Sequence, residues 1–122
     1  MKTVFLSFLA LLSLAVGTVY AQSPAEAAKI KHLSASVETL EGAQFLRNGR
    51  AYDAKAAADH LRLKLKTAGE RVKTADDFIR LCGSQSSLSG EKYRIRLADG
   101  TIVDSEVFFR KKLKSFAPAK PK

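Results

Sequence analysis

The sequence predicts a small α+β domain, with about four helices and two short β-hairpins that form one antiparallel sheet. Three observations carry that expectation. Asn48-Gly49 and Asp99-Gly100 are dipeptides suited to tight turns, and each lies between short alternating segments. Several other stretches repeat apolar residues at three- and four-residue steps, the helical period. The two kinds of segment interleave as helix, hairpin, helix, helix, hairpin, helix, the order of a compact α+β unit.

The first 21 residues read as a leader. Met1-Lys2 gives a short basic start, and an uncharged apolar run continues from Thr3 to Tyr20. Val19-Tyr20-Ala21 then puts small residues at the −3 and −1 positions of a cleavage site. A run of this length is also long enough to cross a bilayer uncleaved. The Val-x-Ala ending favours cleavage, and no cysteine stands at the cleavage point to carry a lipid. The expectation is an exported protein, periplasmic or secreted, with no stable transmembrane segment once the leader is gone. Removing 21 of 122 residues leaves 101, enough for one domain with a modest core. The organisation expected is a signal peptide over 1–21, one α+β domain over 22–116 and a disordered basic tail over 117–122.

The elements follow in order. Ser23, Pro24 and Glu26 make a helix start, with Ser23 as cap, Pro24 at the first helical position and Glu26 reaching back to the cap. Ile30, Leu33, Val37 and Leu40 form the buried stripe of that helix, and Gly42 is read as its end. Around Asn48-Gly49, Arg47 should face Arg50, Leu46 face Ala51, and Phe45 face Tyr52. Asp53 caps a second helix whose inner face holds Ala54, Ala57, Ala58, Leu61, Leu65 and Ala68, with Gly69 as its stop. Leu63 falls on the far face. Thr74 caps a short third helix with Asp76 and Asp77 at its positive end. Ala75, Phe78, Ile79 and Cys82 share one face there, which assigns Cys82 to the core. As the chain's one cysteine, it can form no bridge within the chain. Beyond the serine-rich stretch, Tyr93, Ile95 and Leu97 alternate with Arg94 and Arg96, and the Asp99-Gly100 tip should set Leu97 opposite Ile102. Ser105 is read as the cap of a last helix with Phe109, Leu113 and Phe116 inward.

Charge is one-sided. The chain is formally +9, and losing Lys2 leaves +8. Residues 22–60 carry five groups of each sign, whereas 61–122 carry 15 basic and 7 acidic groups. That asymmetry points to an anionic or acidic partner. For an exported chain, this means envelope polymers, anionic headgroups or acidic proteins before nucleic acid. One tyrosine among Arg94 and Arg96 is also a thin stacking platform for bases. A solvated basic surface is the plainer reading of the same charge.

Catalytic patterns are weak. The stretch Gly83-Ser84-Gln85-Ser86-Ser87-Leu88-Ser89-Gly90-Glu91-Lys92-Tyr93 contains Ser-x-x-Lys at Ser89 and Lys92. That spacing works on a helix, where the lysine lies one turn above the serine. Here Gly90 and an alternating strand intervene. As an anion cradle, the loop offers backbone N–H groups and hydroxyls, but it follows a helix C-terminus, whose dipole repels anions. As a plain connection, it is a helix stop leading into a strand. His32 and His60 are the two imidazoles and are 28 residues apart; with one cysteine and no His-Glu-x-x-His, neither a metal nor a cofactor is expected.

Taken together, "FLRNGRAYDAKAAADHLRLKLKTAGERVKTADDFI" and "SSLSGEKYRIRLADG" resemble a family of small exported bacterial proteins known as a domain of unknown function. The resemblance covers roughly residues 26–116. Such relatives often carry a tryptophan in the last helix, where this chain has Phe108 and Phe109. The resemblance implies a bacterial, periplasmic protein and brings no activity, cofactor or catalytic residue with it.

The function expected is a non-enzymatic envelope module that binds an anionic or acidic partner. Its candidate contacts are Arg47, Asn48, Arg62, Ser87, Ser89, Lys92 and Arg94, provided that folding brings the first hairpin tip, the second helix and the serine loop to one side. Two alternatives stand beside it. One is an envelope hydrolase using a serine of the 84–89 loop with His60. The other is a structural partner of another envelope protein, meeting it through Leu63 and the last helix.

Overall fold

The structure, a computed structural model, describes residues 22–116. The expected leader over 1–21 and tail over 117–122 lie outside the described residues. Four helices pack with a four-stranded antiparallel sheet: α1 Pro24–Glu38, β1 Gln44–Arg47, β2 Arg50–Tyr52, α2 Ala54–Ala68, α3 Ala75–Phe78, β3 Arg94–Arg96, β4 Ile102–Asp104 and α4 Ser105–Ser115. A 3-10 turn, Gly69–Arg71, follows α2, and α3 runs on into a π-turn over Ile79–Gly83. The strand order is β2-β1-β3-β4, so the two hairpins form one sheet.

The core lies between the helices and one face of the sheet. Ile30, Leu33 and Val37 enter it from α1, Ala58 and Leu61 from α2, Phe78 from α3, Ile95 from β3 and Phe109 from α4. Cys82 is buried in this cluster, and burial raises its thiol pKa, so it behaves as a small apolar residue. Leu63 points outward and is 61 % exposed.

The first hairpin has the expected register, with Phe45 opposite Tyr52, Leu46 opposite Ala51 and Arg47 opposite Arg50. Asn48 at φ 49° and Gly49 at φ 79° supply the two left-handed residues that such a tip needs. The second hairpin corrects the sequence reading. Arg96, not Leu97, pairs with Ile102, and Val103 pairs with Ile95. Gly100 N–H donates to Leu97 O and Leu97 N–H to Thr101 O, so the connection is one residue longer than a two-residue tip. Gly100, at φ 91°, takes the left-handed position that ends a three-residue loop. A one-residue slip exchanges the faces of a strand. Ile102 is accordingly exposed, and Val103 turns inward.

Three helix ends also differ from expectation. Helix α1 stops at Glu38 with Thr39 as its C-cap, four residues before Gly42. Ser23 does cap it, accepting from Glu26 N–H, but the Glu26 carboxylate does not return to the cap. It accepts instead from Ala75 N–H at 2.7 Å and from Lys29 Nζ at 3.0 Å, tying α1 to the start of α3. At α4, Asp104 occupies the cap position without a side-chain cap bond, and Ser105 is the buried first helical residue. Asp104 is engaged by Arg94 at 3.3 Å and Lys92 at 3.6 Å, which explains why its carboxylate is turned away from the helix.

Candidate functional site

Strand alternation brings several polar side chains onto the inner face of the sheet. Phe45 is buried, so Arg47, two residues on, points to the same side. Tyr52 is paired directly with Phe45 and shares that side. Tyr93 precedes Ile95 by two and joins them. From α2, residues 56, 57, 60, 61 and 64 fall on the face turned toward these strands. Ala56 and Ala57 are small, which leaves a gap between helix and sheet.

That gap is a cavity of about 220 Å³. Its walls include Val37, Phe45, Leu61, Ile95 and Phe109, all buried core residues. Arg47, Tyr52, His60 and Tyr93 also line it, and no aspartate or glutamate does. Gly83 lies behind Phe109, where a Cβ would meet that ring at 2.8 Å. Only glycine there lets Phe109 keep its place in the cavity wall.

A connected polar chain runs over these residues. Arg47 Nη1 lies 2.7 Å from His60 Nδ1 and 2.9 Å from Nε2, and its Nη2 donates to Tyr52 Oη at 3.3 Å. The guanidinium stands 5.1 Å over the Tyr52 ring. His60 Nε2 is 3.2 Å from Tyr93 Oη, which also accepts from Lys64 Nζ at 3.2 Å. Lys64 donates in addition to Gln85 O at 3.0 Å. A guanidinium can donate only to an unprotonated ring nitrogen, so these contacts favour the neutral imidazole, in which one of the two nitrogens accepts. The electrostatics agree: burial, then Arg47 and Lys64, lower its pKa. The Tyr52 hydroxyl is shifted down as well, chiefly by the Arg47 hydrogen bond. Neither Arg47 nor Lys64 has a carboxylate partner among the described residues.

The serine-rich stretch folds back as a third hairpin, with a wider, four-residue tip. Gln85 bridges Lys92, Tyr93 N–H donates to Ser84 O, and Gly90 N–H donates to Ser86 O across the tip. Ser86 is buried, and its Oγ accepts from Leu88 N–H and Ser89 N–H. Asn48 holds this hairpin to the first one, donating through Nδ2 to Ser86 Oγ at 3.3 Å and accepting from Ser89 Oγ at 2.7 Å. Ser84 Oγ donates to Ile79 O. These hydroxyls are spent on closing and docking the loop. No serine is among the hydrogen-bond partners of His60 in the described residues.

The expected contacts therefore divide. Arg47, Asn48 and Ser89 come together at the junction of the two hairpins, with Ser87 on the exposed tip beside them. Arg62 points elsewhere, bonded to Glu38 at 2.7 Å and Asp59 at 3.1 Å. Lys92 and Arg94 share Asp104. The contribution of the second helix comes from His60 and Lys64, which the sequence places one helical turn apart. Lys64, Tyr52 and Tyr93 were not among the candidates. The signals that point to them are the four-residue spacing of His60 and Lys64, the predicted Phe45–Tyr52 pair and the Tyr93/Ile95 alternation. No group of three or more potential metal ligands occurs among the described residues. No described helix is long and apolar enough to cross a membrane.

Residues 24–117 match the model of a family of unknown function (DUF5329). An uncharacterized protein, YfeK, from Salmonella typhimurium is 37 % identical over 68 residues. That match covers 56 % of this chain and 57 % of the relative's length. No solved structure matches the chain. The chain belongs to this family of unknown function.

Proposed function

We propose, with membership of that family as the premise, that this is an exported, non-enzymatic module that binds an anionic or acidic envelope partner. The binding centre is the junction of the first hairpin, α2 and the serine hairpin. The observation that carries this reading is charge without compensation: Arg47 and Lys64 are half-buried and have no acidic partner among the described residues. Holding two cations around a neutral imidazole in a partly desolvated site is unfavourable until an anion arrives. Arg47, His60, Tyr93 and Asn48 supply donors for it on one side, and Lys92 and Arg94 flank the neighbouring strand. Arg62 drops out, because Glu38 and Asp59 already neutralise it. A hydrolase reading lacks a serine–histidine contact among the described residues: Ser84, Ser86 and Ser89 are bonded within the loop or to Asn48, and Ser87 on the exposed tip is not a partner of His60. The exposed Leu63 is an isolated apolar residue and carries no argument for a partner.

The test is a thermal-shift series on the protein with inorganic phosphate, acetate and a glutamate-rich peptide. Stabilisation that weakens with added salt, disappears in Arg47→Gln/Lys64→Gln and persists in Arg62→Gln is expected. Equal stabilisation of the double variant and the parent would refute the assignment.

A further inference from the structure

Arg47, His60 and Tyr93 belong both to the polar chain and to the lining of the apolar cavity, so each restricts what the other can hold. The lining includes Arg47, Arg94 and His60 and no carboxylate, so a cationic ligand meets like charge with no counter-ion. A bare inorganic anion satisfies Arg47 but leaves about 220 Å³ between Phe45, Leu61, Ile95 and Phe109 unfilled. An apolar cavity of about 150 Å³ is enough to take up benzene. This one is larger and has an arginine in its lining. At about 30 Å³ per water-sized group, it accommodates roughly seven heavy atoms.

We propose that the cavity binds the apolar body of a small amphiphilic monoanion, such as a medium-chain carboxylate, with its head group on Arg47 and the hydroxyl of Tyr93. This rests on the anion-binding reading above and narrows it to a ligand class. The small residues Ala56 and Ala57 are what keep the space open on the helix side, and Gly83 leaves room for the Phe109 ring in its wall. Filling the space with methylenes recovers contact and removes apolar surface from water, worth about 0.8 kcal/mol per group, or roughly fourfold in affinity.

The experiment is calorimetric titration of the protein with acetate, butanoate, hexanoate, octanoate and decanoate, with octyl phosphate and octylammonium alongside. Affinity is expected to rise roughly fourfold per methylene and then to level off once the cavity is full. Octylammonium should not bind. Octyl phosphate binding as well as octanoate identifies the shared anionic head, and weaker binding assigns a carboxylate; both support the cavity. Ala57→Phe should flatten the chain-length dependence. Should that variant fail to fold, Ala56→Leu, on the more exposed side of the same wall, gives the same readout. Equal affinity at all chain lengths overturns the cavity proposal and leaves the anion site standing. Octylammonium binding as tightly as octanoate overturns it too. No binding of any carboxylate, together with no effect of Arg47→Gln/Lys64→Gln on phosphate or acidic-peptide binding, removes both readings.

Discussion

Two charged regions of this molecule use the same residue types to opposite ends. At the α3–α4 edge, Arg80 bonds Asp76 and Asp77, and Arg110 bonds Asp76 and Glu106. Both arginines there have their anions, and Asp76 and Asp77 are held below the usual carboxylate range by those arginines and by backbone N–H groups. At the hairpin–α2 junction, Arg47 and Lys64 have a histidine, two tyrosines and a carbonyl, all uncharged. The first region is self-neutralised and serves to dock helices. The second keeps a positive potential beside an apolar cavity. Net charge alone cannot separate them, because what matters is which cations already have partners.

The strongest break of the comparison is to remove the cations from each region in turn. Arg47→Gln/Lys64→Gln should weaken anion binding by at least about a hundredfold, since charge-assisted hydrogen bonds contribute about 1.5–3 kcal/mol each. Arg80→Gln/Arg110→Gln should leave that binding unchanged in the same titration. Supplying the missing acid sharpens the contrast: Ala56→Glu places a carboxylate one turn before His60. It should raise the His60 pKa, read by its imidazole proton shifts, and compete with the ligand.

Next in size is the docking of the serine hairpin. Asn48→Ala loses a residue suited to positive φ and both bonds to Ser86 and Ser89. A loss of about 1–3 kcal/mol is expected in urea denaturation. Asn48→Gly keeps the turn and loses only the bonds, so the difference between the two variants isolates the docking.

Smaller again is the pH response, which differs between the regions in range. His60 has a lowered pKa in the folded state, so the unfolded chain binds its proton first. Stability therefore declines as pH falls from about 6.5, the ordinary histidine value, toward the depressed folded value. The groups facing His60 are Arg47 from β1, Tyr93 leading into β3 and Lys64 on its own helix. His60→Gln should remove this limb of the pH profile. Asp76 and Asp77 also have lowered pKa values, and their contribution is present above 3.8 and lost as pH falls further. The smallest effect expected is Asp76→Asn at neutral pH, a surface ion-pair change of at most about 1 kcal/mol that fades with salt.

Local rules made much of the fold legible. Asn48-Gly49 fixed the first hairpin register because two left-handed residues in succession leave few alternatives. Asp99-Gly100 is nearly the same signal, yet its hairpin closes one residue wider, with Leu97 and Thr101 bonded across it. A turn dipeptide tolerates more than one loop length, and the choice fell to packing of Val103 beneath Ile95. Glu26 likewise had two possible partners at the sequence level, its own cap or a distant one, and Ala75 N–H, 49 residues away, took it.

What the sequence by itself determined is the order of the helices and sheet hairpins, the caps Ser23, Asp53 and Thr74, the register of the first hairpin, the core placement of Cys82 and the asymmetry of charge, since each depends on spacing along one segment. What only the tertiary structure decided is the site. Arg47, His60, Tyr93 and Lys64 come from three elements and meet because the sheet order places β1 beside β3 under α2. The same packing pairs Arg62 with Glu38 and Arg110 with Asp76 across 24 and 34 residues. Whether a cation is neutralised or left open depends on distances between segments, and these are set only when the chain closes on itself.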